Sequence, residues 1–156
     1  MSPASTVERA LAEQGIAHRL LPHPRTFSTH DTAAAAHVAE DHIAKAVIVK
    51  DEQGYAMAVI PGGSWVKLDA LNAETDRCFE LASESEIEGL FNDCAAGAIP
   101  PLGEAYSLET FLDEALSSLG RVFFESGDHQ LLVEVSGPDF QTLMRGVRHG
   151  RFSHEG

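Results

Sequence analysis

Two apolar runs separated by a short polar turn limit this fold more than any other feature of the chain. Ala46-Val47-Ile48-Val49 and Tyr55–Ile60 are apolar at odd and even positions alike. The connection between them, Asp51-Glu52-Gln53-Gly54, is of hairpin length. A strand with one wet face would alternate, so both runs are expected as central strands, covered on both sides. Lys45 leads into the first run on the strand parity of Val47 and Val49. A charged amine resists desolvation, so this lysine either snorkels to water from a strand end or is placed there for chemistry.

The flanking segments carry helix and turn signals. Ser5-x-x-Glu8 reads as a capping box opening a helix with Val7, Ala10 and Leu11 on one side and Gly15 as its stop. A strand over Ala17–Pro22 and a loop over Arg25–His30 follow. Ser28-x-x-Asp31 then opens an alanine-rich helix, Thr32–Glu40, in which Ser28 and Thr29 read first as caps. Leu68–Asn72 suggests a helical turn, Cys78–Ala82 a short strand, and Ser83-x-x-Glu86 the cap of a helix through Ile87, Leu90 and Phe91. The alternation of Tyr106, Leu108, Thr110 and Leu112 predicts a half-buried strand. Arg121–Glu125 and Gln130–Val135 predict a second hairpin around Ser126-Gly127-Asp128-His129. Ser136-Gly137-Pro138-Asp139 starts a last helix with Phe140, Leu143 and Met144 inward. Strands grouped in hairpins with helices between the groups predict one α+β domain on a mixed sheet, spanning residues 1–148, with 149–156 as a disordered tail or linker.

The stiffest stretch is Gly97-Ala98-Ile99-Pro100-Pro101-Leu102-Gly103. Its prolines fix their own φ angles and push Ile99 towards an extended conformation. Gly97, Ala98 and Ile99 keep their N–H groups, so the loop is either a tight connection packed by Ile99 and Leu102 or a backbone site for a carbonyl or carboxylate oxygen. His129, at the tip of the second hairpin, is either exposed or a polar group at a sheet rim.

A net charge of −13, from 24 acidic and 11 basic residues, argues against a broad nucleic-acid surface. It leaves room for a narrow site that handles the end of a strand. Arg145, Arg148 and Arg151 thicken the basic character near the C-terminus. His23, His30, His37 and His42 follow no metal-ligand spacing, so neither a metal nor another cofactor is expected. Cys94 has no neighbour to lower its pKa and reads as structural. No apolar run reaches membrane-span length and no signal pattern opens the chain, so a cytoplasmic protein without a membrane partner is expected.

Taken in order, the motifs become recognisable. They are Lys45 opening an apolar strand, Val59-Ile60-Pro61-Gly62, Leu81-Ala82-Ser83-Glu84, Gly97-Ala98-Ile99-Pro100, Gly127-Asp128-His129 and Ser136-x-x-Asp139-Phe140. The chain resembles the YbaK/prolyl-tRNA-synthetase-associated domain family over roughly residues 4–145. That family includes free-standing editing proteins and the editing domain inserted in bacterial prolyl-tRNA synthetases. The resemblance implies a curved mixed, largely antiparallel sheet with surrounding helices, and metal-free hydrolysis of a small amino acid from mischarged tRNA. It assigns Lys45 to the acceptor end as the catalytic candidate, and the backbone of Gly97, Ala98, Ile99 and Pro100 to the aminoacyl group. His129 and Thr29 join them as substrate-binding candidates. The implied partners are the tRNA acceptor end and an aminoacyl-tRNA synthetase, with the chain a monomer or homodimer. The rival readings are a non-catalytic binding module of the same fold, which the acidity favours, and a small-molecule hydrolase.

Overall fold

The computed structural model describes residues 3–26, 28–95 and 97–155. Helix α1 (Ser5–Glu13), strand β1 (Arg19–Pro22) and helix α2 (Thr29–Ala36) precede the central hairpin of β2 (Ala44–Asp51) and β3 (Gly54–Pro61). Then come β4 (Ser64–Val66), α3 (Leu68–Thr75), β5 (Glu80–Leu81), α4 (Glu84–Leu90) and β6 (Glu109–Asp113). The second hairpin, β7 (Arg121–Glu125) and β8 (Leu131–Ser136), leads through α5 (Gly137–Leu143) to β9 (Arg148–Gly150) and β10 (Ser153–Glu155).

The fold is α+β, as expected, and its strands divide into three sheets. A five-stranded sheet runs β5-β2-β3-β6-β9, a three-stranded sheet β1-β8-β7, and β10 pairs with β4. Among the described residues only β3–β6 and β6–β9 are parallel strand pairs; the rest are antiparallel. The two larger sheets meet at a parallel bridge between Ile43 and Phe123.

The unbroken apolar run in β3 has a direct cause. Met57 and Val59 enter one core, with Phe91, Phe124 and Phe140, while Ala56, Ala58 and Ile60 enter a second, with Leu71, Phe79, Phe111 and Phe152. All five β3 residues from Ala56 to Ile60 are fully buried. Each large apolar side chain so buried contributes about 1.5–3 kcal/mol, which sandwiches this strand between two packed layers.

Ser28, Ser83 and Ser136 cap their helices by accepting from the backbone N–H three residues on, and Glu86 closes a capping box with Ser83. Ser5 does not cap. Ala4 holds that position, and the Ser5 and Thr6 hydroxyls donate instead to Asp93 at 3.4 and 2.7 Å. Helix α2 starts and stops earlier than its pattern suggested, because His37 turns left-handed (φ 58°) and Glu40–His42 form a separate 3-10 turn. Tyr106 lies in a 3-10 turn rather than on β6, and its hydroxyl donates to Asp93 at 2.8 Å. Within the expected loop at 25–30, Phe27 lies outside the described residues.

The expectation for residues 149–156 needs correction. β9 pairs with β6 and β10 with β4, and Phe152 between them is 1% exposed in the second core. The Phe152 N–H donates to Asp113 and the Arg151 N–H to Glu74. One aromatic anchor in a polar stretch leaves no periodicity to read, yet its burial and the two strand pairings hold the segment through Glu155; Gly156 is outside the described residues. The arginines there serve the protein itself, Arg151 with Glu114 at 2.9 Å and Arg148 with the Glu74 carbonyl.

Candidate functional site

A cavity of about 520 Å³ opens beside the Ile43–Phe123 bridge, where β2 and β7 leave for different sheets. One wall is β2 from Ala44 to Ile48, including Lys45. The opposite wall is the end of β7 and the turn after it, through Glu125 and His129. Thr29 from α2, Gly97 and Ile99 from the stiff loop, and Ile87 from α4 complete the enclosure. Helix α4 is held over the hairpin by Glu86, which accepts from Lys50 at 3.0 Å and Tyr55 at 2.7 Å; the Ser83 amide first, then these two bonds, hold its carboxyl down to about 2.

Two long-range backbone bonds shape the far wall. Ala4 N–H donates to the Ser126 carbonyl at 2.8 Å, and Ala95 N–H to that of Gly127 at 2.7 Å. Asp93 ties down the segment before the loop; burial pushes its carboxyl up, but bonds from Thr6 and Tyr106 hold it at about 2. Gly127 has φ +107°, and a Cβ there would lie 2.9 Å from that of Ala4. Gly97 has φ +79°, and its Cβ would lie 3.2 Å from Cε1 of His129. Both positions therefore require glycine, for conformation and for space. His129 itself is left-handed (φ 60°) and only 4% exposed, so it is a buried group against Gly97 and not an exposed tip.

Lys45 is half-buried. Its Nζ donates to the Ser64 carbonyl at 2.8 Å and lies 5.5 Å from the centre of the exposed Trp65 ring. Burial lowers its pKa, and the negative charge of Glu40 works the other way.

Lys45, Gly97, Ile99, His129 and Thr29 thus meet in one cavity, whereas Ala98 and Pro100 do not line it. Ala98 is fully buried in the protein, its N–H donating to the Ala95 carbonyl at 3.1 Å, and Pro100 is buried. Pro101 and Leu102 are buried as well, which leaves Gly97 and Ile99 as the residues of this loop that line the space. Among the described residues no backbone carbonyl accepts from the Gly97 or Ile99 amide. Cys94 is no nucleophile, because burial pushes its thiol up to about 12 beside the Tyr106 hydroxyl. No group of three or more His, Cys, Asp or Glu among the described residues is placed to hold a metal.

Sequence reasoning missed Glu125. It lines the cavity, its Oε2 is sheltered from solvent with no hydrogen-bond partner, and burial raises its pKa to about 7, Asp128 adding to the rise and a hydrogen bond between its carboxylate and Thr32 opposing it. No local sequence signal marks it; in the structure it stands two residues beyond Phe123, as Lys45 stands two beyond Ile43, in the two segments joined by the bridge.

Three comparisons bear on this geometry. A family model described as the aminoacyl-tRNA editing domain matches residues 23–143. Among solved structures, the hypothetical protein APE2540 superposes with a TM-score of 0.85 at 25% identity, covering 96% of this chain and 100% of that one. A candidate trans-editing enzyme for prolyl tRNA synthetase superposes at 0.82 with 21% identity, covering 98% and 99%. A candidate signal transduction protein from Marinobacter aquaeolei VT8 does so at 0.77 with 21% identity, covering 96% of this chain but 30% of its own. Among curated proteins no relative matches the chain.

Proposed function

Because the chain belongs to the aminoacyl-tRNA editing domain family, we propose that it is an aminoacyl-tRNA deacylase acting in trans, which hydrolyses the ester of a small amino acid from mischarged tRNA without a metal. The observation that carries this reading is the convergence of Lys45, Gly97, Ile99 and His129 on one cavity, with Lys45 the one lysine or arginine among its lining residues. The substrate ends in a ribose ester next to a phosphate. Lys45 binds that phosphate or the ribose and sets the ester in place. The Gly97 and Ile99 N–H groups donate to the developing oxyanion as a water, positioned by the neighbouring ribose hydroxyl, attacks the carbonyl carbon. The acyl carbon–oxygen bond then breaks, and the ribose oxygen leaves with a proton. Ile99 and His129 narrow the acyl end, so alanine or serine enters and bulky side chains are refused by steric exclusion. Site of action is the cytoplasm, where charged tRNA is found.

A deacylation screen over mischarged tRNAs tests the proposal. Release of a small amino acid from at least one of them, with a phenylalanyl ester left intact, is the expected result. The second reading, a non-catalytic module, is favoured by the net charge of −13 and by the appearance of the same fold as 30% of a longer chain. It requires that the wild type release nothing from any charged tRNA.

A further inference from the structure

The aminoacyl end of a charged tRNA carries opposite charges, a phosphate on one side of the ester and a free α-ammonium on the other. Lys45 on β2 answers the first; nothing in the proposed mechanism answers the second. Glu125 lines the same cavity from the end of β7, two residues beyond Phe123 as Lys45 is two beyond Ile43 in the parallel bridge. No ion pair among the described residues joins the two. An unpartnered oxygen sheltered from water is costly, and such a group in a cavity calls for a ligand.

We propose that Glu125 is the subsite for the α-ammonium of the bound aminoacyl group, so that the cavity selects esters with a free amine over N-blocked ones. This deepens the deacylase reading and rests on it for the identity of the ligand. The other ionisable groups facing Glu125 are Asp128 and His129 on its own turn, Lys45 across the cavity, and Glu84 and Glu88 on α4. Glu84 and Glu88 are exposed to solvent, which screens them, and leave Glu125 as the sheltered carboxyl of the site. With its pKa raised to about 7 by burial, Glu125 is largely protonated at pH 6 in the empty cavity. An arriving ammonium favours the carboxylate, so the proton leaves Glu125 for solvent as the ion pair forms.

The test uses the non-hydrolysable amide 3′-alanylamino-3′-deoxyadenosine and its N-acetyl counterpart, titrated calorimetrically at pH 6 in buffers of different ionisation enthalpy. The free amine should bind the wild type roughly tenfold more tightly, which corresponds to one charge-assisted contact, and should release up to one proton. Glu125→Gln should bind both analogues alike and release none. Equal binding of the two by the wild type, or no proton release, overturns the inference without needing any variant to fold. A wild type that hydrolyses alanyl-tRNA and N-acetylalanyl-tRNA equally well overturns this inference alone. Free-amine binding with proton release but no hydrolysis of any aminoacyl-tRNA upholds it while removing the deacylase reading. Binding of neither analogue sinks both.

Discussion

The two walls of the cavity are built on different principles. The β2 wall is a regular strand in the middle of a sheet, in register with β3 over its whole length, Ala44 to Asp51. Lys45 lines the cavity with its β2 neighbours, and its amine donates to a backbone carbonyl at the start of β4. The β7–β8 wall is a turn with two positive-φ residues, Gly127 and His129, held in place by bonds from Ala4 and Ala95, segments remote in sequence. The cation therefore sits in a satisfied, locally encoded place, and the carboxyl keeps one sheltered oxygen, Oε2, without a partner in a place created by chain closure. Strain and unmet polar groups persist only where surrounding structure enforces them, and of the two walls it is the β7–β8 wall that carries both, His129 at φ 60° and the Glu125 Oε2.

The largest test of that contrast is Glu125→Gln, read as stability against pH. Its folded-state pKa, about 7, lies above the ordinary value of 4.5, so the folded state holds the proton more tightly than the unfolded chain. Stability should consequently fall as pH rises from roughly 4.5 to 7, by an amount on the order of 3 kcal/mol as an upper bound. Glutamine keeps the neutral shape and removes the fall, so the variant should be the more stable protein at pH 8 and no more stable at pH 4. Urea denaturation at the two pH values measures this. Identical pH profiles for the two proteins would mean that Glu125 is solvated and that the walls do not differ.

Lys45→Ala should do the reverse, costing activity and sparing the fold. Loss of a charge-assisted contact that orients the ester is worth about 1.5–3 kcal/mol, a ten- to hundredfold drop in kcat/KM. A half-buried lysine at a strand end removes little packed volume, so stability should change by less than about 1 kcal/mol. Lys45→Arg keeps the charge but alters reach and shape and should rescue only in part. A lowered melting temperature with unchanged activity per folded molecule would make Lys45 structural.

Gly97→Ala addresses the join between the walls. An alanine held at φ +79° costs about 1–2 kcal/mol, and its methyl group would press on the His129 ring at 3.2 Å. Both stability and turnover should decline, and a Gly97→Ala, His129→Ala double variant should recover part of the stability, since the contact is removed while the backbone strain remains. Full additivity of the two changes would show that Gly97 and His129 do not touch in solution.

The same contrast explains what the sequence made legible. Lys45, the central hairpin and the Ser28, Ser83 and Ser136 caps are local signals, readable from parity or a four-residue pattern. The caps at Ser28 and Ser83 even place Thr29 and Ile87 at the cavity. Ser5 misled because an acid 88 residues away, Asp93, outcompetes the helix for its hydroxyl. Glu125 was invisible because burial at a strand end depends on what the Ala4 and Cys94–Ile99 segments do around it. Ala98 and Pro100 were carried along with their motif, although a motif reports which loop is present and not which of its residues face the ligand. Residues 149–155 were misjudged because what holds them is remote in sequence: Phe152 enters a core formed with partners from β3, α3 and β6, and the flanking strands pair with β6 and β4.

The smallest expected effect is on salt dependence. Each phosphate neutralised by the protein releases counterions, and log affinity falls with log salt by about 0.7 per contact for single strands. The Lys45 wall offers one cation to the acceptor end, and Arg148 and Arg151 are engaged with the protein's own acidic residues and carbonyls. On a chain of net charge −13, the slope of deacylation kcat/KM against salt should therefore correspond to one or two contacts. Lys45→Ala should flatten it by about one contact, and Glu125→Gln should leave it unchanged, because an ammonium is not a phosphate. A steep wild-type slope that survives Lys45→Ala would locate the tRNA on a basic surface away from the cavity. A slope altered by Glu125→Gln would mean that the two walls share one ligand charge.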